Sequence, residues 1–325
     1  LKDMVHAKYN KPDIAGMKPA EQLEKIAEKT HEFVALQYTT YNRSLLPILK
    51  QNGLQIITAH EQLEEKDGEF VDEYFKKNVY PVLTPMAVDS SRPFPLVRNK
   101  SLNIAALVRK KEKQGQEEIN DSEEELEFAM VQVPSVLPRI VEIPSDDEVR
   151  KVILLEEIIE RNIQTLFLNY DIITSHPFRI MRNADLSIDE EEAEDLLVEI
   201  EKQLKKRQWG EVIRLEVEEK VDRRLLKILK RELNMHSADI FEIAGPLDLT
   251  FLMKMYGLDG FDHLKVPPYT PQPVPALMNE DDIFTNIRKG DILLHHPYQT
   301  FDPVVDFVRT AARDSKVLAI KQTLY

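Results

Sequence analysis

Leu102-Asn103-Ile104-Ala105-Ala106-Leu107-Val108 and Phe128-Ala129-Met130-Val131-Gln132-Val133 are two short apolar runs separated by a charged tract from Arg109 to Glu127. Runs of this length and composition read as buried strands, and two in succession read as a hairpin. The tract between them, with Glu117-Glu118 and Glu123-Glu124-Glu125, reads as a long solvated loop. Outward toward the C-terminus, Phe178–Arg182 and Val212–Val217 are two more candidate strands. Three amphipathic stretches alternate with them. Asp147 to Leu168 places Val152, Leu155, Ile158, Ile159, Ile163 and Leu166 on one face. Ser187-Ile188-Asp189-Glu190 is a capping box that opens a helix through Leu204. Asp222 caps a third, with Leu225, Leu226, Leu229 and Leu233 inward and Arg223, Arg224, Lys227, Lys230 and Arg231 outward. Strands interleaved with helices predict a mixed α/β layer.

Toward the N-terminus, Gln55–Thr58 and Val79–Pro85 are predicted strands around a helical stretch from Phe70 to Lys77. Before them, apolar positions from Leu23 to Leu49 recur at three- and four-residue steps, which predicts one long helix ending at Gly53. Pro47 removes a backbone donor inside it and should kink or break its last turns.

Composition bounds what such a chain can do. The 325 residues fit two or three domains at about 150 residues each. With 42% hydrophobic and 31% charged residues the chain can bury cores. No apolar run is long enough to span a bilayer, which takes about 18 residues. The opening Leu1-Lys2-Asp3-Met4-Val5-His6 has neither an initiator Met nor a signal-peptide pattern, so the chain reads as a piece of a longer one. The absence of cysteine excludes disulfides, thiolate metal sites and thiol nucleophiles, and fits a cytoplasmic protein. A net charge of −14 disfavours general binding to nucleic acid. Any polyanionic substrate needs a local basic pocket. No GxGxxG or GxxxxGK[ST] string is present to cradle phosphates.

Val266 to Pro275 holds five prolines in ten residues and reads as an extended spacer. After it, Asp291–Tyr298, a helix from Asp302, and Val317–Tyr325 read as strand, helix, strand, the start of a parallel unit. The second strand ends at the sheet edge where such folds place their chemistry. Lys321 interrupts that apolar strand, and its amine needs either a carboxylate partner or a phosphate-bearing ligand. His295 and His296 are adjacent on the first strand and point to opposite faces, so they cannot easily share one metal or one proton. Two basic groups could meet phosphate: Arg92, Arg98 and Lys100, and Arg179 with Arg182. Pairing with the surplus carboxylates is their commoner fate. No complete catalytic or metal-ligating set is legible.

Several of these stretches are distinctive in order as well as in content: Pro93-Phe94-Pro95-Leu96, Val133-Pro134-Ser135-Val136-Leu137-Pro138-Arg139, Phe178-Arg179-Ile180-Met181-Arg182-Asn183-Ala184-Asp185-Leu186, Asp291–Tyr298 with Phe301, and Val317–Tyr325. Along nearly its whole length the chain resembles the first polyphosphate kinase family. The resemblance implies an α+β multidomain protein: residues 1–53 the latter part of a helical N-terminal domain, 54–271 a mixed α/β head domain for dimerisation, and 272–325 the beginning of a phospholipase-D-like α/β domain. It implies reversible transfer of the terminal phosphate of ATP to inorganic polyphosphate through a phosphohistidine, with ADP as product and Mg2+ as cofactor. It further implies a homodimer or homotetramer in the cytoplasm, with peripheral membrane association as an option. The family's nucleotide-contacting asparagine falls before Leu1. Its phosphate-binding arginine and its reacting histidines fall beyond Tyr325, so His295 and His296 are not those residues. The alternative is a non-catalytic dimerisation or scaffold module of a phospholipase-D-like phosphodiesterase.

Overall fold

The computed structural model describes every residue except 89–93, 112–125, 146–148, 184–209, 279–280 and 324–325. Arg92, the acidic loop between the first two strands, the start of the expected 147–168 helix, the capping box at Ser187 with its helix, and Leu324-Tyr325 lie outside the described residues. The described chain divides into two units, Leu1–Gly257 and Leu258–Tyr325.

Among the described residues, nine strands build two sheets in the first unit. The smaller sheet has the order β1-β6-β5, from Leu54–Ile57, Arg150–Leu154 and Ile140–Ile143. The larger has the order β2-β4-β3-β7-β8-β9, from Pro85–Val88 (β2), Leu126–Gln132 (β4), Leu102–Lys110 (β3), Tyr170–Arg182 (β7), Val212–Glu218 (β8) and Ile240–Ile243 (β9). The expected hairpin is β3 and β4, paired antiparallel from Asn103 opposite Gln132 to Arg109 opposite Leu126. Its side chains alternate between two cores. Ile104, Ala106, Val108, Ala129 and Val131 enter one, while Ala105, Leu107, Phe128 and Met130 enter the other.

The helices are α1 (Lys2–His6), α2 (Pro19–Thr40), α3 (Leu46–Gln51), α4 (Glu65–Tyr74), α5 (Leu155–Arg161), α6 (Arg223–Glu232) and α7 (Phe251–Met255), with α8 (Ile283–Lys289) and α9 (Asp302–Arg313) in the second unit. The long N-terminal helix ends at Gly53, whose φ of 83° is the left-handed conformation glycine tolerates. Pro47 does not break it. A π-helical turn over Tyr41–Leu45 widens the helix just before the missing donor, and α3 carries on. Asp222 caps α6 as expected, its side chain accepting from Arg224 N at 2.8 Å, and Leu225 and Leu229 are fully buried.

Three expectations are corrected. Val79–Pro85 is not a strand: Phe75–Val79 is π-helical and Tyr80–Val82 a 3-10 turn, with β2 starting only at Pro85. Continuing the helix buries Phe75 and Val79, four residues apart, on the same face, and that burial overrides the local β preference. Likewise, Asp147–Leu168 is not one helix. Arg150–Leu154 is the middle strand of the smaller sheet, paired parallel with Leu54–Ile57 on one side and antiparallel with Ile140–Ile143 on the other, and it buries Val152, Ile153 and Leu154. In the second unit only α9 of the expected strand–helix–strand forms among the described residues. Residues 291–294 and 317–323 belong to no ladder, and Leu293 and Leu318 are 89% and 93% exposed. A strand needs a neighbour for its backbone groups, and among its described residues this unit offers only an isolated bridge from Gln272 to Gln299.

Candidate functional site

Helix α2 lies along the edge of the larger sheet, pinned by polar contacts to backbone. Tyr38 donates its hydroxyl to Pro246 O at 2.7 Å, Asn42 Nδ2 donates to Ala244 O at 2.6 Å, and His31 Nε2 meets Ala238 O at 3.0 Å. The His31 ring stacks on Phe241 at 4.0 Å, and the Arg214 guanidinium lies 3.9 Å from the same ring centre. Under the helix is a cavity of about 550 Å³ lined by Tyr38, Tyr41, Arg179, Arg214, Glu216 and Asp248 among others. Its charges are already paired. Glu216 accepts from Arg179 Nη1 at 3.1 Å and lies 2.8 Å from Arg214 Nη2, and Asp248 is 3.5 Å from Arg179 Nη2. Burial pushes the phenols of Tyr38 and Tyr41 up, so both stay protonated; among the described residues the buried Tyr41 hydroxyl has no partner.

The predicted basic residues are therefore dispersed. Arg179 serves Glu216 and Lys100 O, the commoner of its two expected fates. Arg182 donates to Val97 O at 3.2 and 3.0 Å and to Gly210 O at 2.8 Å, tying these segments to the end of β7. Arg98 and Lys100 are exposed. His295 and His296 are exposed and lie on no strand; the first packs against Tyr298 and the second against Phe301, with Nδ1 3.0 Å from Gln299 O. Lys321 is exposed in residues 317–323, so its amine keeps its water and needs no partner to offset burial.

A second constellation escaped the reading of the sequence. Helix α5 buries three glutamates. Glu156 is held by Arg139, whose Nε lies 3.2 and 3.1 Å from its two oxygens and whose guanidinium also donates to Leu247 O and Asp248 O. Glu157 accepts from His60 N at 2.9 Å and lies 3.2 Å from His60 Nδ1. Glu160 accepts only from Ser175 Oγ, at 3.2 Å, among the described residues. Beside it His176 Nδ1 lies 2.9 Å from Glu218 Oε2, and His176 Nε2 2.8 Å from Thr174 Oγ1. Donor atoms of His60, Glu157 and Glu160 lie within 4.8 Å of one another, and so do those of Glu160, His176 and Glu218. Burial pushes the Glu160 carboxyl well up, and the nearby Glu218 and Glu157 push it further. The hydrogen bond that the His60 ring makes to the Glu157 carboxylate raises its imidazole. The one sequence signal was Glu157 and Glu160 at i and i+3 inside a buried run; nothing local announces His60, His176 and Glu218.

Neither set suits Mg2+, the metal the resemblance implies. Mg2+ demands oxygen ligands and keeps much of its water, whereas both sets contain an imidazole.

Comparison with known proteins decides the family. Three family models match in succession: the polyphosphate kinase N-terminal domain over residues 1–57, the middle domain over 66–255 and C-terminal domain 1 over 282–325. The chain belongs to the polyphosphate kinase family. A polyphosphate kinase of Halalkalibacterium halodurans is 48% identical over all of this chain and 45% of its own length, and one of Bacillus cereus is 46% identical over all of this chain and 46% of its own length. The chain thus spans about half the length of the curated relatives it matches. The crystal structure of polyphosphate kinase from Porphyromonas gingivalis shares the fold, with a TM-score of 0.68 over 90% of this chain and 41% of that one at 21% identity. Within the polyphosphate kinase frame the cavity under α2 and the histidine–glutamate cluster both involve the middle domain, while His295, His296 and Lys321 fall in C-terminal domain 1.

Proposed function

We propose that the chain is part of a phosphotransferase that moves the terminal phosphate of ATP reversibly onto inorganic polyphosphate. The observation that supports it is the match over the whole chain to proteins named polyphosphate kinase, through three of the family's domains in order. In this reading a histidine outside these residues attacks the γ-phosphorus, the bond to the ADP oxygen breaks, and the phosphoryl group passes from nitrogen to the terminal oxygen of the polymer. Mg2+ would offset charge on the transferring phosphates. Residues 54–271 act as the dimerising head, and the protein works in the cytoplasm. Lys321 is proposed to meet a phosphate of nucleotide or polymer, a role its exposure leaves open to it.

Labelled ATP with magnesium tests the reading. A full-length protein carrying this chain should make acid-insoluble polymer, while residues 1–325 alone should make none and retain no label. Stable label on a histidine of the 325-residue chain would overturn the placement of the reacting group. In the full-length protein Lys321→Met should raise the KM for ATP or polyphosphate with an unchanged melting temperature. Unchanged kinetics would remove Lys321 from the site.

A further inference from the structure

Buried carboxylates are tolerated when a cation or several donors offset their charge. On α5 this holds for Glu156, which has Arg139, and for Glu157, which has the backbone and ring of His60. It fails for Glu160, which is 8% exposed and has one hydroxyl donor among the described residues. The nearest groups do not supply the missing charge: Glu157 and Glu218 are acids, and the imidazoles of His60 and His176 are turned to those two acids at 3.2 and 2.9 Å. What surrounds Glu160 is instead a ligand set drawn from four elements: the 3-10 turn at His60, helix α5, strand β7 with His176, and the end of β8 with Glu218.

We propose that His60, Glu157, Glu160, His176 and Glu218 bind a divalent cation of the zinc or manganese class, with Glu160 common to both halves of the site. Ligand atoms about 2.0–2.2 Å from such an ion stand roughly 3–4 Å apart, and the donors of each triad already lie within 4.8 Å of one another. Two imidazoles and three carboxylates are the mixed nitrogen and oxygen set this class prefers, and they exclude Mg2+ and Ca2+ as favoured occupants. Thr174 supplies the outer contact: with His176 Nε2–H donated to its hydroxyl at 2.8 Å, the lone pair of Nδ1 faces Glu218 and the site. The ion ties the loop after β1 and helix α5 to strands β7 and β8, so it fastens the helical layer to the larger sheet. This inference does not depend on the phosphotransfer reading.

The full chain, stripped with EDTA and dialysed, is titrated separately with ZnCl2, MnCl2 and MgCl2 while bound metal and melting temperature are measured. Zn2+ or Mn2+ should be retained at one or more ions per chain and should raise the melting temperature with concentration, whereas Mg2+ should do neither. Glu160→Gln, isosteric and neutral, should fold and bind at least about tenfold more weakly, as should His176→Gln. His236→Gln, an exposed histidine outside the cluster, should bind as the parent does. If Glu160→Gln fails to fold, Glu218→Gln at the more open rim carries the same expectation. No retained metal, or retention equal in parent and cluster variants, overturns the site.

Discussion

Arg139 shows how much one residue can hold in place. Its guanidinium grips Glu156, donates to two carbonyls at Leu247 and Asp248, and lies 5.2 Å from the ring centre of Phe251. It joins α5 to the segment that leads into α7. Removing it strands a buried carboxylate, so Arg139→Met should cost about 3–5 kcal/mol of stability by urea denaturation. Adding Glu156→Gln should return part of that loss, because the uncompensated charge is gone. A cost under about 1 kcal/mol for Arg139→Met would mean that water or a rearranged partner serves Glu156. The sequence offered Arg139 only as the end of a distinctive motif; its partner lies 17 residues on, in α5.

Among the elements, α6 is the one whose sequence says most about itself. Asp222 at its N-cap accepts from Arg224 N, and the Arg224 guanidinium lies 2.9 Å from its other oxygen. The hydrogen bond from Arg224 holds the Asp222 carboxyl down to about 2. Asp222→Ala should therefore cost about 1 kcal/mol at neutral pH. The native carboxyl titrates below its unfolded value of about 3.9, so the cap contributes fully above about pH 4 and its contribution fades as pH falls toward 2. Urea midpoints of parent and variant, measured across that range, should converge at the acid end. A gap that stays constant would assign the loss to helix propensity and not to the charged cap. By contrast, the elements that local pattern misjudged, the helical turns over 75–82 and the strand at 150–154, are those where burial chose the conformation. Valine and isoleucine serve either period, and only the surrounding layers decide which one is used.

For the whole molecule, the first unit presents large apolar side chains to solvent, among them Val136, Leu168, Met253 and Tyr256. Together with the family's head domain this leads to the expectation that residues 54–271 carry an isologous contact. Sedimentation of the full chain should give twice the 37.7 kDa of one copy; a single copy at high micromolar concentration would place the contact elsewhere. The sequence by itself determined the mixed α/β layer, the central hairpin, the long N-terminal helix with its glycine stop, and the Asp222 cap. Each depends on spacing between near neighbours, on periods of two or 3.6, and on single capping or turn residues. Only the tertiary structure decided that Arg179 answers Glu216, that Arg182 holds backbone, and that three glutamates of α5 face inward to different partners. It alone brought His60, His176 and Glu218 around Glu160. Those residues lie up to 158 positions apart in the chain, and their meeting depends on how sheets and helices pack, which no local period encodes.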